Sequence, residues 1–406
     1  KWHNLSQLFY FCAMKFLKDI SFKEKRVIIR VDFNVPLNDL LEITDETRII
    51  AALPSINYVL DNGGTAVIIS HLGRPKGVNL KLSLKPVSKR LSALLNRPVN
   101  FLDDCVGGHV EHAIKKSNSG DVFLLENLRF YNEETDGDML FSEKLSRLGD
   151  AYINDAFGTS HRAHASTHGI VSFFEKEKYC GLLLEKEVVN LNKALNQNTT
   201  PSLAIIGGAK ISSKIEVLYS LMNSVDKIII GGGMAYTFIY ALGGKIGSSL
   251  FEDDKVSAAK KILTAAKEKG VEILLPTDSV NSTSFSNEIS STTNIFNIPD
   301  GSMGLDIGPK SAALFEKEIL LAKSIIWNGP MGVFEFSNFS NGTKQIGEAV
   351  AKSTFNGAYS LVGGGDSVAA VKKYNLEGGV SYVSTGGGAM LEFLEGKKLP
   401  ALKALL

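Results

Sequence analysis

The sequence predicts an α/β protein of two doubly wound, parallel-sheet domains of Rossmann-like kind, and three observations support that fold class. Short β-branched strands alternate with amphipathic helical segments along the chain, which is typical of parallel sheets covered on both faces. At 406 residues the chain is longer than one hydrophobic core usually serves. All nine arginines lie between Arg26 and Arg162, whereas 27 of the 38 glycines follow residue 170, so the two halves differ in chemistry.

The predicted strands are short apolar runs that recur in both halves. In the first half they occupy residues 26–32, 65–70, 122–125 and 151–154. In the second half they occupy residues 203–206, 227–230, 271–276, 324–327, 359–362 and 381–384. Residues 255–270 are the clearest intervening helix, because apolar residues recur at helical spacing and Gly270 provides a stop.

The domain boundaries follow from this alternation and from one long helical run. Residues 181–197 are strongly helical and end in polar residues before Pro201, so they are predicted to form the helix that joins the domains. The N-terminal domain is then expected at residues 14–180 and the C-terminal domain at residues 198–392. Residues 1–13 have only a short apolar run and no small-residue cleavage site, and are interpreted as an N-terminal appendage.

Composition excludes several classes of protein. A net charge of +1 gives no reason to expect a nucleic-acid or acidic-membrane partner. Cys12, Cys105 and Cys180 are far apart and odd in number, which favours a reducing, cytoplasmic compartment over a disulfide framework. The uncharged stretch at residues 228–244 is interrupted by three glycines, so it is predicted to be a buried strand, turn and helix rather than a membrane span.

Polar and cationic residues follow four consecutive predicted strands of the first half. In chain order these are Asp32, Phe33 and Asn34; His71 and Arg74; Glu126, Asn127 and Arg129; and Asp155 with Arg162. Ligands of open α/β sheets bind beyond the carboxyl ends of the strands. One arginine there is usually a solvated loop residue, but three at one sheet edge favour an anionic ligand.

The stretch GTSHRAHASTHG, residues 158–169, raises the alternative of a zinc site, because His161, His164 and His168 are close in sequence. Zinc would require cysteine or carboxylate ligands beside two or more histidines. Arg162 stands between His161 and His164, and its fixed positive charge would repel a cation. We therefore interpret the loop as one wall of an anion site, with Arg162 contacting the ligand.

Five glycine-rich loops follow strands of the second half, at residues 207–214, 231–236, 328–335, 363–367 and 385–389. A single one could be a tight turn, but five favour a nucleotide with several phosphates, since loops that open helices offer free N–H groups to phosphate oxygens. Lys210 and Lys214 are predicted to share one face of the first turns of a helix. Asp366 offers a hard oxygen ligand for Mg²⁺ beside phosphates.

Eight motifs in order resemble the phosphoglycerate kinase family, namely RVDFNVP (30–36), SHLGRP (70–75), ENLRF (126–130), NDAFGTSHRAHAST (154–167), GGAKISSK (207–214), IWNGPMGVFE (326–335), VGGGDS (362–367) and STGGGAMLE (384–392). The resemblance extends from Met14 to the C terminus. It implies reversible transfer of the acyl phosphate of 1,3-bisphosphoglycerate to Mg-ADP, giving 3-phosphoglycerate and ATP in glycolysis. It also implies a monomer that closes about a hinge and a C-terminal segment, 393–406, that packs back on the N-terminal domain.

The resemblance assigns roles position by position. It implies that the N-terminal domain binds the glycerate through Asp32, Phe33, Asn34, Arg48, His71, Leu72, Gly73, Arg74, Arg129 and Arg162. It implies that the C-terminal domain binds the nucleotide through Lys214, Gly304, Asn328, Glu335, Gly364, Gly365, Asp366 and Ser367. Arg48 and Lys210 are expected to clamp the phosphoryl group in transfer, while Lys214, and Mg²⁺ held by Asp366, balance the charge of the nucleotide.

Two parts of the sequence depart from the family's pattern. Ser302 stands where the family usually has tryptophan, and residues 276–285 are more polar than usual, which affects the expected wall of the nucleotide pocket.

Two other classes of protein are alternatives to this interpretation. A non-catalytic, two-domain anion-binding protein would need an export signal and has no use for five glycine loops. An NAD-dependent dehydrogenase would need a Gly-x-Gly-x-x-Gly fingerprint after an early strand, and the sequence has none.

Overall fold

The computed structural model describes residues 14–195 and 199–406, and the chain divides into two compact units. Unit 1 extends to Val189 and includes Lys398–Leu406, and unit 2 comprises Asn190–Lys397. Each unit is built on a six-stranded sheet, which confirms the predicted fold class. The expected appendage, residues 1–13, lies outside the described residues.

The sheet of unit 1 consists of six parallel strands: β1 (Arg26–Val31), β2 (Thr65–Ile69), β3 (Asn100–Leu102), β4 (Val122–Leu125), β5 (Ala151–Asp155) and β6 (Lys178–Cys180). Their spatial order is β3-β4-β2-β1-β5-β6. The central strands are buried apolar runs, as in VFLL of β4, because helices cover both faces. Since β4, β2, β1 and β5 are neighbours, the four polar strand ends meet at one edge of the sheet.

The helices around this sheet are α1 (Thr47–Asp61), α2 (Lys85–Leu95), α3 (Gly108–Lys115), α4 (Asn132–Asp136), α5 (Met139–Ser146) and α6 (Leu182–Ala194). They bury apolar residues, except α4, whose one buried residue is Glu134. Ile49, Ile56 and Val59 of α1 pack with strand residues such as Ile29 and Ile68 in one hydrophobic core. Helix α6 continues from unit 1 into unit 2, as expected of the helix that joins the domains.

The main sheet of unit 2 is also parallel, and a smaller antiparallel sheet accompanies it. The strands in chain order are β7 (Ser202–Ile206), β8 (Lys227–Ile230), β9 (Lys245–Ile246), β10 (Glu272–Leu274), β11 (Asp278–Ser282), β12 (Ser291–Asn294), β13 (Asn297–Ile298), β14 (Met303–Ile307), β15 (Ser324–Asn328), β16 (Tyr359–Val362) and β17 (Tyr382–Val383). The main sheet has the order β10-β8-β7-β15-β16-β17, and the smaller one β12-β11-β14. The expectation of parallel sheets alone was therefore incomplete for unit 2, because residues 278–294 are too polar to read as strands.

The helices of unit 2 are α7 (Ile215–Leu221), α8 (Met234–Ala241), α9 (Val256–Glu268), α10 (Pro309–Leu321), α11 (Asn341–Phe355), α12 (Gly365–Lys373) and α13 (Gly388–Leu394). Helix α9 confirms the helix predicted from residue 255, and Gly270 follows it with φ of 72°. The stretch 228–244 forms β8 and α8, as predicted. Across residues 14–195 and 199–406, no helix has the length and apolar character that crossing a bilayer requires.

The C-terminal segment ends in helix α14 (Pro400–Ala404), which belongs to unit 1. The N–H of Ala401 donates to the carbonyl oxygen of Ser160 at 3.1 Å, and Lys178 Nζ donates to the carbonyl oxygen of Ala404 at 3.0 Å. The end of the chain therefore packs against the start of the 158–169 loop, which confirms the predicted return to the first domain.

Candidate active site

The carboxyl edge of the unit 1 sheet holds an ion pair between two predicted site residues. Asp32 follows β1, and its Oδ2 accepts a hydrogen bond of 2.8 Å from Arg48 Nη1. Arg48 lies in the first turn of α1, with about a third of its side chain exposed. Asp32 thus holds the guanidinium at the edge of the sheet while part of it stays open to a ligand.

The loop after β2 is fixed by amide side chains from the neighbouring strand ends. Asn34 Oδ1 accepts the N–H of Gly73 at 2.8 Å, and Arg129 Nη1 donates to the Gly73 carbonyl at 2.7 Å. Asn127, which belongs to the ENLRF motif but has no predicted role, accepts the N–H of Leu72 at 3.1 Å. Gly73 has φ of 66°, a region that favours glycine. These bonds give the SHLGRP loop one conformation.

Two predicted ligand residues point away from this edge. The side chains of Phe33 and Leu72 are buried in the hydrophobic core of unit 1. Their N–H groups bond Ser70 Oγ and Asn127 Oδ1. Because both the side chain and the N–H of each residue are occupied internally, their contribution to a ligand site is to shape the loops.

Arg30, which is not among the predicted site residues, is a buried cation at this edge of the sheet. It lies in β1, is fully buried, and donates from Nε to Ser166 Oγ at 2.8 Å. Its Nη2 lies 3.3 Å from His71 Nδ1. An arginine inside an otherwise apolar strand was the available signal, since a buried guanidinium requires partners.

Glu134 balances the charge of Arg30 beneath the site. It is fully buried, 4.0 Å from Arg30 Nη2, and it accepts hydrogen bonds from the N–H and the hydroxyl of Ser166 at 2.9 and 2.7 Å. These bonds tie α4 to the 158–169 loop. The loop that carries Arg162 is therefore held in place through Ser166 by the buried Arg30–Glu134 pair.

Three groups at this edge have lowered pKa values, first because they are buried and then because arginines lie nearby. Burial and nearby arginines lower the pKa of His71 well below its ordinary value and that of His164 to about 4, so both imidazoles are neutral. Burial, and then Arg30, also lower the pKa of Arg129 to about 10. The Nε of Arg129 is buried without a hydrogen-bond partner among the described residues. An anion would relieve both the repulsion and the unmet donor.

We predict that His164→Gln flattens the acid dependence of stability. Because the pKa of His164 falls from 6.5 to about 4 on folding, the unfolded chain binds the proton more tightly, and stability is lost as pH falls from 6.5 towards 4. In urea titrations, the free energy of unfolding of the variant minus that of wild type should therefore increase as the pH is lowered from 7.5 to 5. His109→Gln, at an exposed position, is the control. A difference that stays constant with pH would contradict this assignment.

Arg74 and Arg162 complete the set at this edge. Both are exposed, so their guanidinium groups are accessible to a ligand. Arg162 Nε bonds His161 Nε2 at 3.0 Å, and the Arg162 carbonyl accepts from Thr167 Oγ1 at 3.2 Å. The structure places the charged and amide residues expected to bind glycerate at one sheet edge, on loops after the strands and, for Arg48, in the first turn of α1.

The glycine loops of unit 2 pack backbone against backbone at the carboxyl edge of its main sheet. The N–H of Gly207 bonds the Asn328 carbonyl at 2.9 Å, and the N–H of Gly232 bonds the Met331 carbonyl at 3.1 Å. A Cβ at Gly207 would lie 2.1 Å from the carbonyl oxygen of Pro330. Three loops can therefore approach one another only because glycine lacks a side chain.

Lys214 lies within this edge, bound to a buried amide. Its Nζ donates to Asn328 Oδ1, and Asn328 Nδ2 donates to the Gly363 carbonyl at 2.7 Å. Burial lowers the pKa of Lys214, and Asp366 opposes that shift. Asn328 thus joins the lysine loop to the loop that opens α12.

The prediction that Lys210 and Lys214 share the first turns of a helix was wrong. Helix α7 begins only at Ile215, Lys210 is extended, and residues 211–213 form a single 3₁₀ turn. Lys210 is exposed, whereas Lys214 is partly buried. The two ammonium groups therefore differ in environment, because the chain turns between them instead of continuing a helix.

The loop that opens α12 has the geometry of an anion site. Gly364 has φ of 91°, and Gly365, Asp366 and Ser367 form the first turn, where helix N–H groups lack partners within the helix. The Ser367 hydroxyl is buried and accepts the N–H of Gly329 at 2.5 Å, so it holds the neighbouring loop. Gly365 and Asp366 are exposed at the edge.

Gly304 and Glu335 are linked to this edge through the smaller sheet. Gly304 lies in β14, where a Cβ would meet Tyr236 Oη at 2.0 Å. The N–H of Val333 donates to the Leu305 carbonyl at 2.8 Å, which joins β14 to the loop that carries Glu335. Glu335 is exposed, and the loop before it is held by Lys373 Nζ on the Phe334 carbonyl at 2.6 Å.

The departure from the family pattern at Ser302 is a local change at a buried position. Its N–H donates to the Pro299 carbonyl at 3.1 Å, and its carbonyl accepts the N–H of Ser248 at 2.8 Å. Nearby, the buried Asn281 donates to Ser291 and Thr293, so the polar stretch at residues 276–285 is used in pairing β11 with β12. These polar residues build the smaller sheet.

One carboxylate at the carboxyl edge of the main sheet of unit 2 fits a magnesium ion shared with phosphates. Asp366 is exposed at the start of α12 and close enough to Lys214 to act on its pKa. Magnesium commonly takes one or two carboxylates and completes its shell with phosphate oxygens and water. Within the described part of the chain, His, Cys, Asp and Glu side chains form no cluster of three or more suited to a metal.

Comparisons with known proteins agree with this arrangement. The family model described as "Phosphoglycerate kinase" matches residues 17–397. The chain is 50% identical over 392 residues to the phosphoglycerate kinase of Thermosipho africanus, covering 96% of this chain and 97% of that protein. It is 51% identical over 393 residues to that of Chlorobaculum tepidum, covering 96% and 99%. The solved structure of phosphoglycerate kinase from Coxiella burnetii aligns with a TM-score of 0.87 at 40% identity, covering 97% and 98%.

Proposed function

This chain belongs to the phosphoglycerate kinase family, and from that premise we propose how its two units divide the reaction. The enzyme is an ATP:3-phosphoglycerate phosphotransferase of glycolysis. It transfers the acyl phosphate of 1,3-bisphosphoglycerate to ADP, and the reverse reaction phosphorylates the carboxylate of 3-phosphoglycerate. The two reactants are both polyanions, so each needs its own set of cations and N–H donors.

We propose that unit 1 binds the glycerate. The observation that carries this assignment is the positive edge at Arg74, Arg129 and Arg162, where the Arg129 Nε is a buried donor without a partner among the described residues. The 3-phosphate would accept from these guanidinium forks, which match phosphate oxygens in geometry. Asp32 and Asn34 would accept from the hydroxyl group and keep the carboxyl group oriented towards Arg48.

Unit 2 would bind the nucleotide through backbone groups and one lysine. The first turn of α12 at Gly364–Ser367 supplies N–H groups and the positive end of the helix dipole to phosphate oxygens. Lys214, held by Asn328, would place its charge beside the same phosphates. Gly304 and Glu335, which the resemblance assigns to nucleotide binding, would complete the site from the segments that the Val333–Leu305 hydrogen bond joins. Mg²⁺, held by Asp366, would neutralise part of the phosphate charge.

Catalysis in this proposal is positioning and charge stabilisation. The attacking oxygen is already a carboxylate or a phosphate, so no residue has to remove a proton. The equatorial oxygens of the phosphoryl group carry negative charge during transfer, and Arg48 and Lys210 would donate to them. Asp32 orients Arg48, and the extended backbone before the 3₁₀ turn leaves Lys210 exposed to reach the group.

We also propose how the two units move during the reaction and in what form the enzyme acts. With donor and acceptor bound to separate units, the units would close about a hinge in the α6 region and exclude water from the reacting groups. We propose further that the enzyme is a cytoplasmic monomer, and its net charge of +1 gives no reason to expect a nucleic-acid or membrane partner.

The experiment that tests this function is a coupled assay of 1,3-bisphosphoglycerate formation by the purified protein. With Mg-ATP and 3-phosphoglycerate together, turnover is expected, and it should stop when either substrate is omitted. No turnover under these conditions would refute the function. A protein that binds 3-phosphoglycerate tightly but turns nothing over would favour the non-catalytic anion-binding alternative.

A further inference from the structure

The linking helix α6 begins without a capping side chain of its own. The residue before it is Gly181, whose carbonyl accepts the N–H of Glu185 at 2.9 Å. The N–H of Leu182 donates to Ser55 Oγ at 2.9 Å, and those of Leu183 and Leu184 donate to Asp155 Oδ1 at 2.9 and 3.2 Å. The N–H groups of the first turn are therefore satisfied by two residues from other elements, a task that the preceding residue usually performs.

Both capping residues lie on elements that carry reaction residues. Ser55 is in α1, two turns after Arg48, and Asp155 is the last residue of β5, which leads into the loop with Arg162. Both side chains are fully buried, and the Ser55 hydroxyl is close enough to the Asp155 carboxylate to lower its pKa. One buried junction thus connects the start of α6 to both elements.

Asp155 packs closely against the backbone at Gly181. A Cβ at Gly181 would lie 2.2 Å from Asp155 Oδ1, so only glycine permits the carboxylate to reach the helix end. The other oxygen, Oδ2, is buried with no hydrogen-bond partner among the described residues. Burial raises the pKa of Asp155 to about 6, so keeping an acid here lowers the stability of the folded chain at neutral pH relative to a neutral cap.

We propose that Asp155, supported by Ser55, is a positioning residue that sets the direction in which α6 leaves unit 1. Because the cap comes from α1 and β5, any shift of these elements moves the origin of α6, which continues into unit 2 after Val189. The junction would thereby couple the glycerate-binding elements to the segment between the units. This inference rests on the proposed function, since it concerns how the two bound substrates are brought together.

The test compares Asp155→Ala with Asp155→Asn in the full-length protein. The asparagine keeps an oxygen that can accept the helix N–H groups, whereas alanine keeps none. Asp155→Ala should lower kcat about tenfold, because small misplacements of reacting groups have large effects on rate. Calorimetric dissociation constants for 3-phosphoglycerate and for Mg-ADP, measured separately, should change less than about twofold. Asp155→Asn should recover kcat to within about threefold of wild type.

The control is Asp226→Ala. Like Asp155, Asp226 accepts a hydrogen bond from a backbone N–H, and it accepts another from a serine hydroxyl, both of Ser202 at the start of β7. That end of the strand is opposite the edge expected to bind ligands. It should lower the melting temperature while kcat stays within about twofold. If Asp155→Ala lowers stability but not kcat, or if asparagine restores nothing, the positioning role is wrong. Ser55→Ala, which removes one acceptor, provides the same comparison should Asp155→Ala fail to fold. Wild-type turnover in the same assay separates this outcome from a failure of the proposed function.

Discussion

Replacing Arg48 by alanine should lower kcat about a thousandfold while the KM for 3-phosphoglycerate changes only a fewfold. Arg48 is held by Asp32 at the sheet edge with part of its guanidinium exposed, so it is oriented before a substrate arrives. Its charge is worth most when the equatorial oxygens of the phosphoryl group are most negative, which is in the transition state. Loss of an interaction made mainly there lowers kcat more than it raises KM.

Three variants control this expectation. Arg48→Lys retains charge without the fork and should recover part of kcat. Arg147→Ala removes an exposed arginine paired with Glu143 of α5 and should leave kcat and KM unchanged. Arg162→Ala should mainly raise the KM for 3-phosphoglycerate, because its guanidinium is expected on the non-reacting phosphate. If Arg162→Ala mainly lowered kcat and Arg48→Ala mainly raised KM, the two roles would have to be exchanged.

The second large effect is expected at Lys210, where alanine should lower kcat about a hundredfold. Lys210 is exposed and precedes the 3₁₀ turn in extended backbone, so its ammonium group is free to follow the moving phosphoryl group. Lys214, in contrast, is bound to Asn328 and placed to hold the nucleotide in both ground and transition states. Lys210→Ala should therefore leave the KM for Mg-ATP within about threefold.

Lys260→Ala is the matched control for Lys210→Ala, because it removes an exposed lysine from α9 in the same unit. Its kinetic constants should equal those of wild type. A kcat for Lys210→Ala within about threefold of wild type would remove Lys210 from the transfer step. A large rise in the KM for Mg-ATP alone would make it a nucleotide-binding residue instead.

The fold class could be predicted from the sequence because its signal is local. Buried parallel strands such as VFLL of β4 are continuous apolar runs, and Gly270 marks the end of α9. The smaller sheet of unit 2 could not be predicted, since β11 and β12 consist largely of Ser, Thr and Asn. They pair as an antiparallel ladder, to which Asn281 adds side-chain hydrogen bonds. Their strand character depends on neighbours distant in sequence.

Part of the candidate site could likewise be predicted from the sequence, and part could not. Charged loop residues such as Arg129 and Asp366 could be assigned because they directly follow predicted strands. Glu134 could not, because its buried ion pair with Arg30 becomes visible only when the fold brings the two residues together. For Arg30 the one signal in the sequence was its position inside a predicted strand. The local conformation at Lys210 was also missed, since spacing alone does not distinguish a helix from a 3₁₀ turn followed by one.

The division of labour between the units is the central claim, and separate calorimetric titrations with 3-phosphoglycerate and Mg-ADP test it most directly. Arg162→Ala should weaken 3-phosphoglycerate binding at least about tenfold and leave Mg-ADP binding within about twofold. Lys214→Ala should show the reverse. If either variant weakened both ligands equally, or if Lys214→Ala impaired 3-phosphoglycerate binding alone, the assignment of one substrate to each unit would be contradicted.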